Sequence, residues 1–156
     1  MSADVDLAFM ERALAEAQAA AEEEEVPVGA VVVAEGEVVA RAHNRPIATN
    51  DPTAHAEILA LRSAAERRGN YRLTDCDLYV TLEPCAMCVG ALVHARIRRL
   101  VYGAPDPKGG AVASCLHLLE SPHWNHCVEV QAGVLAEEAA ALLQRFFTLR
   151  RAAQKS

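Results

Sequence analysis

The spacing of apolar residues predicts that the chain begins with an amphipathic helix over residues 4–24. The apolar side chains of one stripe recur every three or four residues, and they are Leu7, Met10, Leu14 and Ala17. Most of the residues between them favour helix. The four glutamates that end this segment, Glu22 to Glu25, are expected to form a solvated acidic last turn.

Two valine-rich segments follow, and together they predict a β-hairpin. They span residues 26–34 and 37–42, and Glu35-Gly36 between them is typical of a turn. Asp51-Pro52 then predicts the start of a second helix over residues 53–68, because Asp is a favoured N-cap and Pro is favoured at the first helical position.

The rest of the chain alternates strands with helices. The predicted strands are residues 77–82, 98–102 and 126–131, and the predicted helices are residues 85–95 and 134–151. A long connection rich in Gly, Pro and Ser spans residues 104–125, and a short helical piece is expected within it at 115–119. This order predicts an α/β fold of three layers, α/β/α, around a central five-stranded mixed sheet.

Composition and length narrow the class of protein. The 156 residues are 52% hydrophobic and 23% charged, which fits one folded domain over residues 1–156 and not a disordered chain. No apolar run approaches the roughly 18 residues of a membrane span, so no membrane partner is expected. The N-terminus carries no readable export signal, and a cytoplasmic location is therefore predicted.

The net charge of −6 argues at first against a nucleic-acid partner. Its distribution changes that interpretation, because residues 1–25 hold eight acids and one base, which leaves 13 acids against 14 bases in the remainder. Basic clusters occur at Arg67-Arg68, at Arg96, Arg98 and Arg99, and at Arg150-Arg151. They are suited either to phosphate contacts or to a solvated surface, so charge alone does not decide between these alternatives.

The five cysteines point to metal or redox chemistry at one position. An odd number of cysteines without an export signal argues against a disulfide framework. Cys85 and Cys88 form a close C-x-x-C pair, whereas Cys76, Cys115 and Cys127 are expected to be small buried apolar residues.

His55, Cys85 and Cys88 form a candidate catalytic zinc site. Each motif lies at a predicted helix start, and a spacing of three residues places both sulfurs on one helix face. The first turn of a helix lowers thiol pKa values, and zinc binds the thiolate. One imidazole and two thiolates leave the fourth tetrahedral position to water, which is the arrangement of a catalytic zinc.

Glu57, two residues after His55, is the candidate proton carrier. A carboxylate there suits a metal-activated water that attacks an electrophilic carbon. Two alternatives remain for the C-x-x-C pair: a redox role, or half of a structural four-ligand site in which His94 or another histidine is the fourth ligand.

The combination of H-A-E with P-C-x-x-C is the signature of zinc-dependent nucleobase deaminases. With its flanking segments, the chain resembles the bacterial tRNA-specific adenosine deaminases of the cytidine deaminase superfamily over about residues 5–152. The segments that carry the resemblance are residues 26–30, Asn44-Arg45-Pro46, residues 51–57, residues 70–73, residues 79–85, residues 102–104 and Phe146-Phe147. The flanking segments favour the tRNA branch over the free-base deaminases.

The resemblance implies a cytidine deaminase-like fold and a specific reaction. The reaction is hydrolytic deamination of the wobble adenosine of a tRNA, typically an arginine tRNA, to inosine. One Zn²⁺ per subunit would be bound by His55, Cys85 and Cys88, and Glu57 would move protons. The family is a homodimer with its active site near the subunit boundary.

The resemblance also implies a set of substrate contacts. Asn44 would hydrogen-bond the flipped base, and Val28 would form a wall of its pocket. The residues expected around the anticodon stem-loop are Lys108, Asn125, Phe147, Arg150 and Arg151. Phe146 continues the apolar stripe of the last helix, and two roles remain as alternatives for its side chain: packing in the core or stacking on a base.

Two rival functions follow from the same residues. The nearest is a free-base or nucleoside deaminase, for guanine or cytosine, with the same zinc site and fold. From a different class, a binding protein with a structural zinc would need four protein ligands and would not need Glu57.

Overall fold

A computed structural model describes residues 3–155, with side chains described as far as Gln154. The helices in this range are α1 (Ala3–Glu22), α2 (Pro46–Thr49), α3 (Ala56–Arg68), α4 (Ala86–His94) and α5 (Ala136–Lys155), with a 3-10 turn at Leu118–Glu120. The strands are β1 (Gly29–Ala34), β2 (Glu37–His43), β3 (Cys76–Leu82), β4 (Arg99–Ala104) and β5 (Glu129–Gln131).

Within residues 3–155, five strands form one mixed sheet in the order β2-β1-β3-β4-β5. Strand β1 is antiparallel to both β2 and β3, whereas β3, β4 and β5 run parallel. The residues of β1 alternate between two apolar cores: Ala30 and Val32 pack with residues of α3 and α4, and Val31 and Val33 pack with residues of α1. The predicted three-layer α/β/α fold is therefore confirmed.

Helix α1 packs very closely on the sheet, and its buried face differs from the predicted stripe. Met10 and Ala17 are buried as expected, but Leu7 is exposed and the polar residue Asp6 is buried instead. A Cβ added at Gly29 of β1 would lie 2.0 Å from the carbonyl oxygen of Ala13, so small residues on both elements permit the contact.

Asp6 fastens α1 to the sheet through a buried ion pair. Its carboxylate accepts hydrogen bonds from Arg99 Nη1 and Nη2 at 2.8 and 2.7 Å, and from the Tyr79 hydroxyl at 2.6 Å. These three hydrogen bonds satisfy a carboxylate that would otherwise be costly to bury.

The acidic end of α1 is only partly solvated, so the prediction for Glu25 is wrong. Glu25 is 2% exposed, and its carboxylate accepts hydrogen bonds from the backbone N–H groups of Ile47 at 3.2 Å and Ala48 at 2.8 Å. Glu23 lies beside His43 and Arg45. The glutamates that follow α1 therefore hold the segment that leads from β2 into α2.

The predicted start of the second helix is also wrong. Helix α3 begins at Ala56 with His55 as its N-cap, because Asp51 Oδ1 accepts hydrogen bonds from the backbone N–H and the hydroxyl of Thr53 and forms a turn there instead. The predicted helix end is confirmed, since Gly69 is the C-cap with φ +66°.

The long connection after β4 is largely irregular, and two cysteine predictions fail near it. The 3-10 turn Leu118–Glu120 stands where a helical piece over 115–119 was expected. Cys115 and Cys127 are exposed, whereas Cys76 is buried as predicted.

Among the described residues, no helix has both the length and the apolar character needed to cross a membrane.

Candidate active site

The candidate metal ligands meet where β3 ends and two helices begin. His55 is the N-cap of α3, Cys85 is the N-cap of α4, and Cys88 lies in the first turn of α4. The ligand atoms of these three residues all lie within 4.8 Å of one another. His55 Nδ1 lies 3.5 Å from each of the two sulfur atoms. The structure therefore brings the three sequence-predicted ligands together.

The three side chains are buried to different degrees, so the group is open to solvent on one side. Cys88 is fully buried, while His55 and Cys85 are half-buried. Over residues 3–155, the cluster able to hold a metal consists of these three side chains with no fourth ligand. His94, the suggested fourth ligand, instead stacks edge-on against Trp124 with ring centroids 6.3 Å apart. The structural four-ligand alternative is thus not supported.

The three candidate ligand side chains differ in their tendency to ionise. A hydrogen bond from the Cys88 thiol, together with the His55 ring, lowers the pKa of Cys85 to about 4. The hydrogen bond with Cys85 and burial raise the pKa of Cys88, and the Cys85 thiolate raises the pKa of His55. Two sulfur atoms and one imidazole nitrogen are the donor set that fits zinc, and binding of the metal would release the protons of Cys88 and His55.

Glu57 lies in the first turn of α3 and is 4% exposed. Burial raises the pKa of Glu57 to about 7, and His55, Cys85 and Cys88 all act on its carboxyl electrostatically or by hydrogen bonding. A carboxyl group with this pKa both accepts and donates a proton near neutral pH. Its position next to the three ligand side chains suits proton transfer at the same site.

Asn44 is hydrogen-bonded to the start of α3, and Val28 is hydrogen-bonded to Asn44. Asn44 Oδ1 accepts a hydrogen bond from the backbone N–H of Ala56 at 2.8 Å, and the Asn44 backbone N–H donates to Val28 O at 3.1 Å. The side-chain oxygen of Asn44 is thereby fixed, which leaves its NH₂ group as the donor for a ligand.

The five residues predicted to contact RNA fall into three places. Lys108, Phe147 and Arg151 line one cavity of about 570 Å³, called here the Lys108 cavity. Asn125 lines a different cavity of about 280 Å³ with Tyr71 and Arg72. Arg150 lines a third, between α1 and α5, and its guanidinium lies 5.6 Å from the ring centroid of Phe146.

Comparison with known proteins gives the family. The MafB19-like deaminase family matches residues 5–151. A tRNA-specific adenosine deaminase of Agrobacterium fabrum is 52% identical over 143 residues, which cover 92% of this chain and 94% of that protein. The chain belongs to the tRNA-specific adenosine deaminase family. It is accordingly a hydrolytic deaminase, and the rival interpretation as a binding protein is wrong.

Solved structures place this deaminase among its relatives. A structure from studies of A-to-I editing by tRNA:A34 deaminases at the wobble position of transfer RNA has a TM-score of 0.85 and 53% identity, covering 86% of this chain and 98% of that one. A guanine deaminase from Nitrosomonas europaea has a TM-score of 0.77 at 28% identity, covering 90% and 83%. The cytidine deaminase-like fold is common to both.

Sequence reasoning missed two buried acids of this deaminase that hold loops near the site. Glu25 binds the start of α2, close to Asn44 in the chain, and Glu83 is 2% exposed between β3 and Cys85. Apart from the resemblance carried by residues 79–85, the sequence signal for Glu83 is its place between an apolar strand and Pro84, where a charged residue would be expected to be solvated.

Proposed function

We propose that the enzyme deaminates the wobble adenosine of a tRNA, an arginine tRNA, to inosine and depends on zinc. The observation that carries the chemistry is the cluster of His55, Cys85 and Cys88 beside the buried acid Glu57. The substrate is supported by the relatives named tRNA-specific adenosine deaminase and by the tRNA:A34 deaminase structure.

His55, Cys85 and Cys88 would hold one Zn²⁺ per subunit. A bound zinc supplies a water molecule whose pKa is lowered toward about 7, which makes it a nucleophile at neutral pH. The half-buried positions of His55 and Cys85 leave an approach to the site for a substrate.

Glu57 carries the protons of the reaction. Its carboxylate accepts the proton of the attacking water as the oxygen adds to C6 of adenine. The same proton then passes to N1 of the base. Glu57 next takes the proton of the new C6 hydroxyl and gives it to the C6 amino group, so that the C6–N bond breaks, the carbonyl of inosine forms and ammonia leaves. The pKa of Glu57 near 7 suits both directions of transfer.

Asn44 and Val28 form the base pocket in this proposal. An enzyme that acts on a base extrudes it and binds its polar edge by hydrogen bonds. The Asn44 NH₂ group is free for that role because its Oδ1 already accepts from Ala56 N–H. Val28 is apolar, 5% exposed and joined to Asn44 through its backbone, which suits it as a wall.

The Lys108 cavity is the proposed binding site of the anticodon stem-loop. It combines two cations, Lys108 and Arg151, with an aromatic ring, Phe147, that is 39% exposed. Phosphate contacts and base stacking are how proteins hold single-stranded RNA. Asn125 and Arg150 would contact the RNA outside this cavity, since they line other surfaces.

We also propose that residues 1–156 act as one catalytic domain, in a homodimer located in the cytoplasm. The homodimer is supported by the resemblance, and Met87, which lies between Cys85 and Cys88 in the chain, is 36% exposed at the surface beside the site. An active site near the subunit boundary is consistent with that position.

The test uses purified, zinc-loaded enzyme and an arginine-tRNA anticodon stem-loop with adenosine at the wobble position. Inosine is measured at that position, while free guanine, cytosine and adenosine are incubated in parallel. Inosine in the stem-loop without turnover of the small molecules supports the proposal. Turnover of guanine with an unchanged stem-loop would instead favour the second candidate, a guanine deaminase, which the similarity to the Nitrosomonas europaea enzyme suggests.

A further inference from the structure

The first part of the long connection after β4 is organised around one buried carboxylate. Residues 106–114, called here the 106–114 loop, contain no helix or strand. Glu83 lies inside this loop, 2% exposed, at the point where the chain leaves β3 and two residues before Cys85. Burial of a charged group is unfavourable unless hydrogen bonds compensate it.

Five hydrogen bonds compensate the charge of Glu83, and all of them come from the 106–114 loop. Glu83 Oε1 accepts from the backbone N–H of Asp106 at 3.0 Å and from the hydroxyl of Ser114. Glu83 Oε2 accepts from three successive backbone N–H groups, those of Val112, Ala113 and Ser114, at 2.8–3.0 Å. Residues at both ends of the loop therefore donate hydrogen bonds to one side chain.

Gly110 shows how tightly the loop surrounds this carboxylate. A Cβ added at Gly110 would lie 2.3–2.5 Å from the carboxyl carbon and oxygens of Glu83. The backbone of Gly110 does not have a positive φ, so its conformation alone does not require glycine. Space for the Glu83 carboxylate is thus the reason for glycine at this position.

The same loop connects the metal ligands to the proposed RNA surface. Its residue Lys108 lines the Lys108 cavity together with Phe147 and Arg151. The backbone N–H of Ala111 donates to the carbonyl oxygen of Pro84 at 2.9 Å, and Pro84 directly precedes Cys85. The position of Lys108 relative to the start of α4 is therefore set by contacts with Glu83 and Pro84.

We propose that Glu83 is a positioning residue for RNA binding. It holds the 106–114 loop against the start of α4, so that Lys108 lies at a fixed place relative to His55, Cys85 and Cys88. The inference deepens the proposed function and rests on it. Glu83 itself touches neither the substrate nor the metal ligands in this role; it acts through the loop.

The test is Glu83→Gln, which keeps the shape of the side chain but replaces one acceptor oxygen by an NH₂ group. At least one loop N–H then loses its acceptor, and the charge that strengthens the other hydrogen bonds is lost. We expect KM for the anticodon stem-loop to rise about 10-fold while kcat changes less than about 3-fold, as for a lost binding interaction. Zinc content per chain should equal that of the wild type.

The matched control is Glu120→Gln, the same chemical change farther along the same connection. The Glu120 side chain is 77% exposed, and its Oε2 lies 3.5 Å from His117 Nδ1. Its replacement should leave KM, kcat and zinc content unchanged. Amide hydrogen exchange gives a readout independent of activity: the N–H groups of residues 106 and 112–114 should exchange faster in Glu83→Gln and at the wild-type rate in Glu120→Gln.

Two further variants keep the test decisive if Glu83→Gln does not fold. Gly110→Ala displaces the carboxylate while retaining it, and should raise KM in the same way. Ser114→Ala removes one of the five hydrogen bonds, and should raise KM about 2- to 3-fold. Wild-type KM and unchanged amide exchange in the folded variants would overturn the inference, as would loss of zinc or a fall in kcat at constant KM.

The outcome also separates this inference from the proposed function. A wild-type enzyme that leaves the stem-loop unchanged refutes the proposed function whatever the variants do. A wild-type enzyme that forms inosine, with a Glu83→Gln variant of equal KM and equal amide protection, refutes only the positioning role.

Discussion

Replacing Asp6 by Asn tests the buried ion pair that fastens α1 to the sheet. The side chains of Asp6 and Arg99 are 7% and 13% exposed, and their two hydrogen bonds are 2.7 and 2.8 Å long. Asn retains one acceptor oxygen but leaves the Arg99 guanidinium buried without its negative partner. Breaking such a pair costs about 3–5 kcal/mol, and because Asn keeps one acceptor oxygen we expect a loss of about 3 kcal/mol, the lower end of that range.

The hydrogen bonds from Arg99, opposed by burial and aided by Tyr79, lower the pKa of Asp6 below its ordinary value. A lowered pKa means that the stabilisation is fully present above the unfolded-state pKa of about 3.9 and is lost as pH falls through the folded-state pKa. The difference in unfolding free energy between wild type and Asp6→Asn should therefore be constant from pH 7 to about pH 5 and shrink below about pH 4.

The assay is urea unfolding followed by circular dichroism from pH 3 to pH 7, at one protein concentration because self-association adds to apparent stability. The melting temperature at pH 7 should fall by roughly 6–12 °C for this loss in a chain of this length. The control is Asp75→Asn, which removes an exposed pair with Arg68 and should cost less than about 1 kcal/mol. A loss below about 1 kcal/mol for Asp6→Asn, or one that persists unchanged at pH 3, would refute the reasoning.

Three further changes test the site. Glu57→Gln should lower kcat by about 10²- to 10⁴-fold with zinc retained, because the proton carrier is lost. Its control is Glu66→Gln, an exposed residue on the same helix, which should leave kcat unchanged. Normal turnover by Glu57→Gln would contradict the role of Glu57 as proton carrier. Cys88→Ala should lose both zinc, measured by elemental analysis, and activity, whereas full zinc content would exclude Cys88 as a ligand. Lys108→Ala should weaken stem-loop binding and reduce the salt dependence of log Kd by about 0.7, as expected for one single-strand phosphate contact. Exposed Arg41→Ala should change neither quantity, and an unchanged salt slope for Lys108→Ala would argue against a phosphate contact.

The candidate metal ligands could be predicted from sequence because each of the two motifs is local and their combination is the signature of a known enzyme class. Cys85 and Cys88 share a face of α4 through their spacing alone, and Cys85 and His55 each occupy a helix N-cap. The order of strands and helices likewise follows from short-range patterns of valine-rich segments and helix formers, which is why the three-layer fold could be predicted.

The errors at the buried acids share a physical cause, which is a partner far away in the chain. Asp6 was not expected on the inner face of α1 because Arg99 lies 93 residues away. Glu25 and Glu83 were expected in solvent or not considered, because their partners are backbone N–H groups of loops whose fold the sequence does not display. Composition and periodicity describe side chains, and they contain no information on which backbone donors converge on a carboxylate.

The RNA-contact residues came from the resemblance and not from their spacing. Lys108, Phe147 and Arg151 do converge on one cavity, although Lys108 belongs to an irregular loop and the other two to α5. Asn125 and Arg150 line separate surfaces. The i, i+4 spacing of Phe147 and Arg151 places both on one face of α5, but nothing in the sequence places Lys108 beside them, so only a structure could reveal that these three lie together.

Zinc-dependent formation of inosine in a full-length arginine tRNA is the measurement that tests the central claim most directly. The transcript carries adenosine at the wobble position, and inosine is detected there as an A-to-G change on reverse transcription. Zinc-loaded enzyme should convert that single position, enzyme stripped by a chelator should convert none, and added zinc should restore the activity. Equal conversion by the stripped enzyme, or adenosine left intact by the zinc-loaded enzyme, would contradict the account.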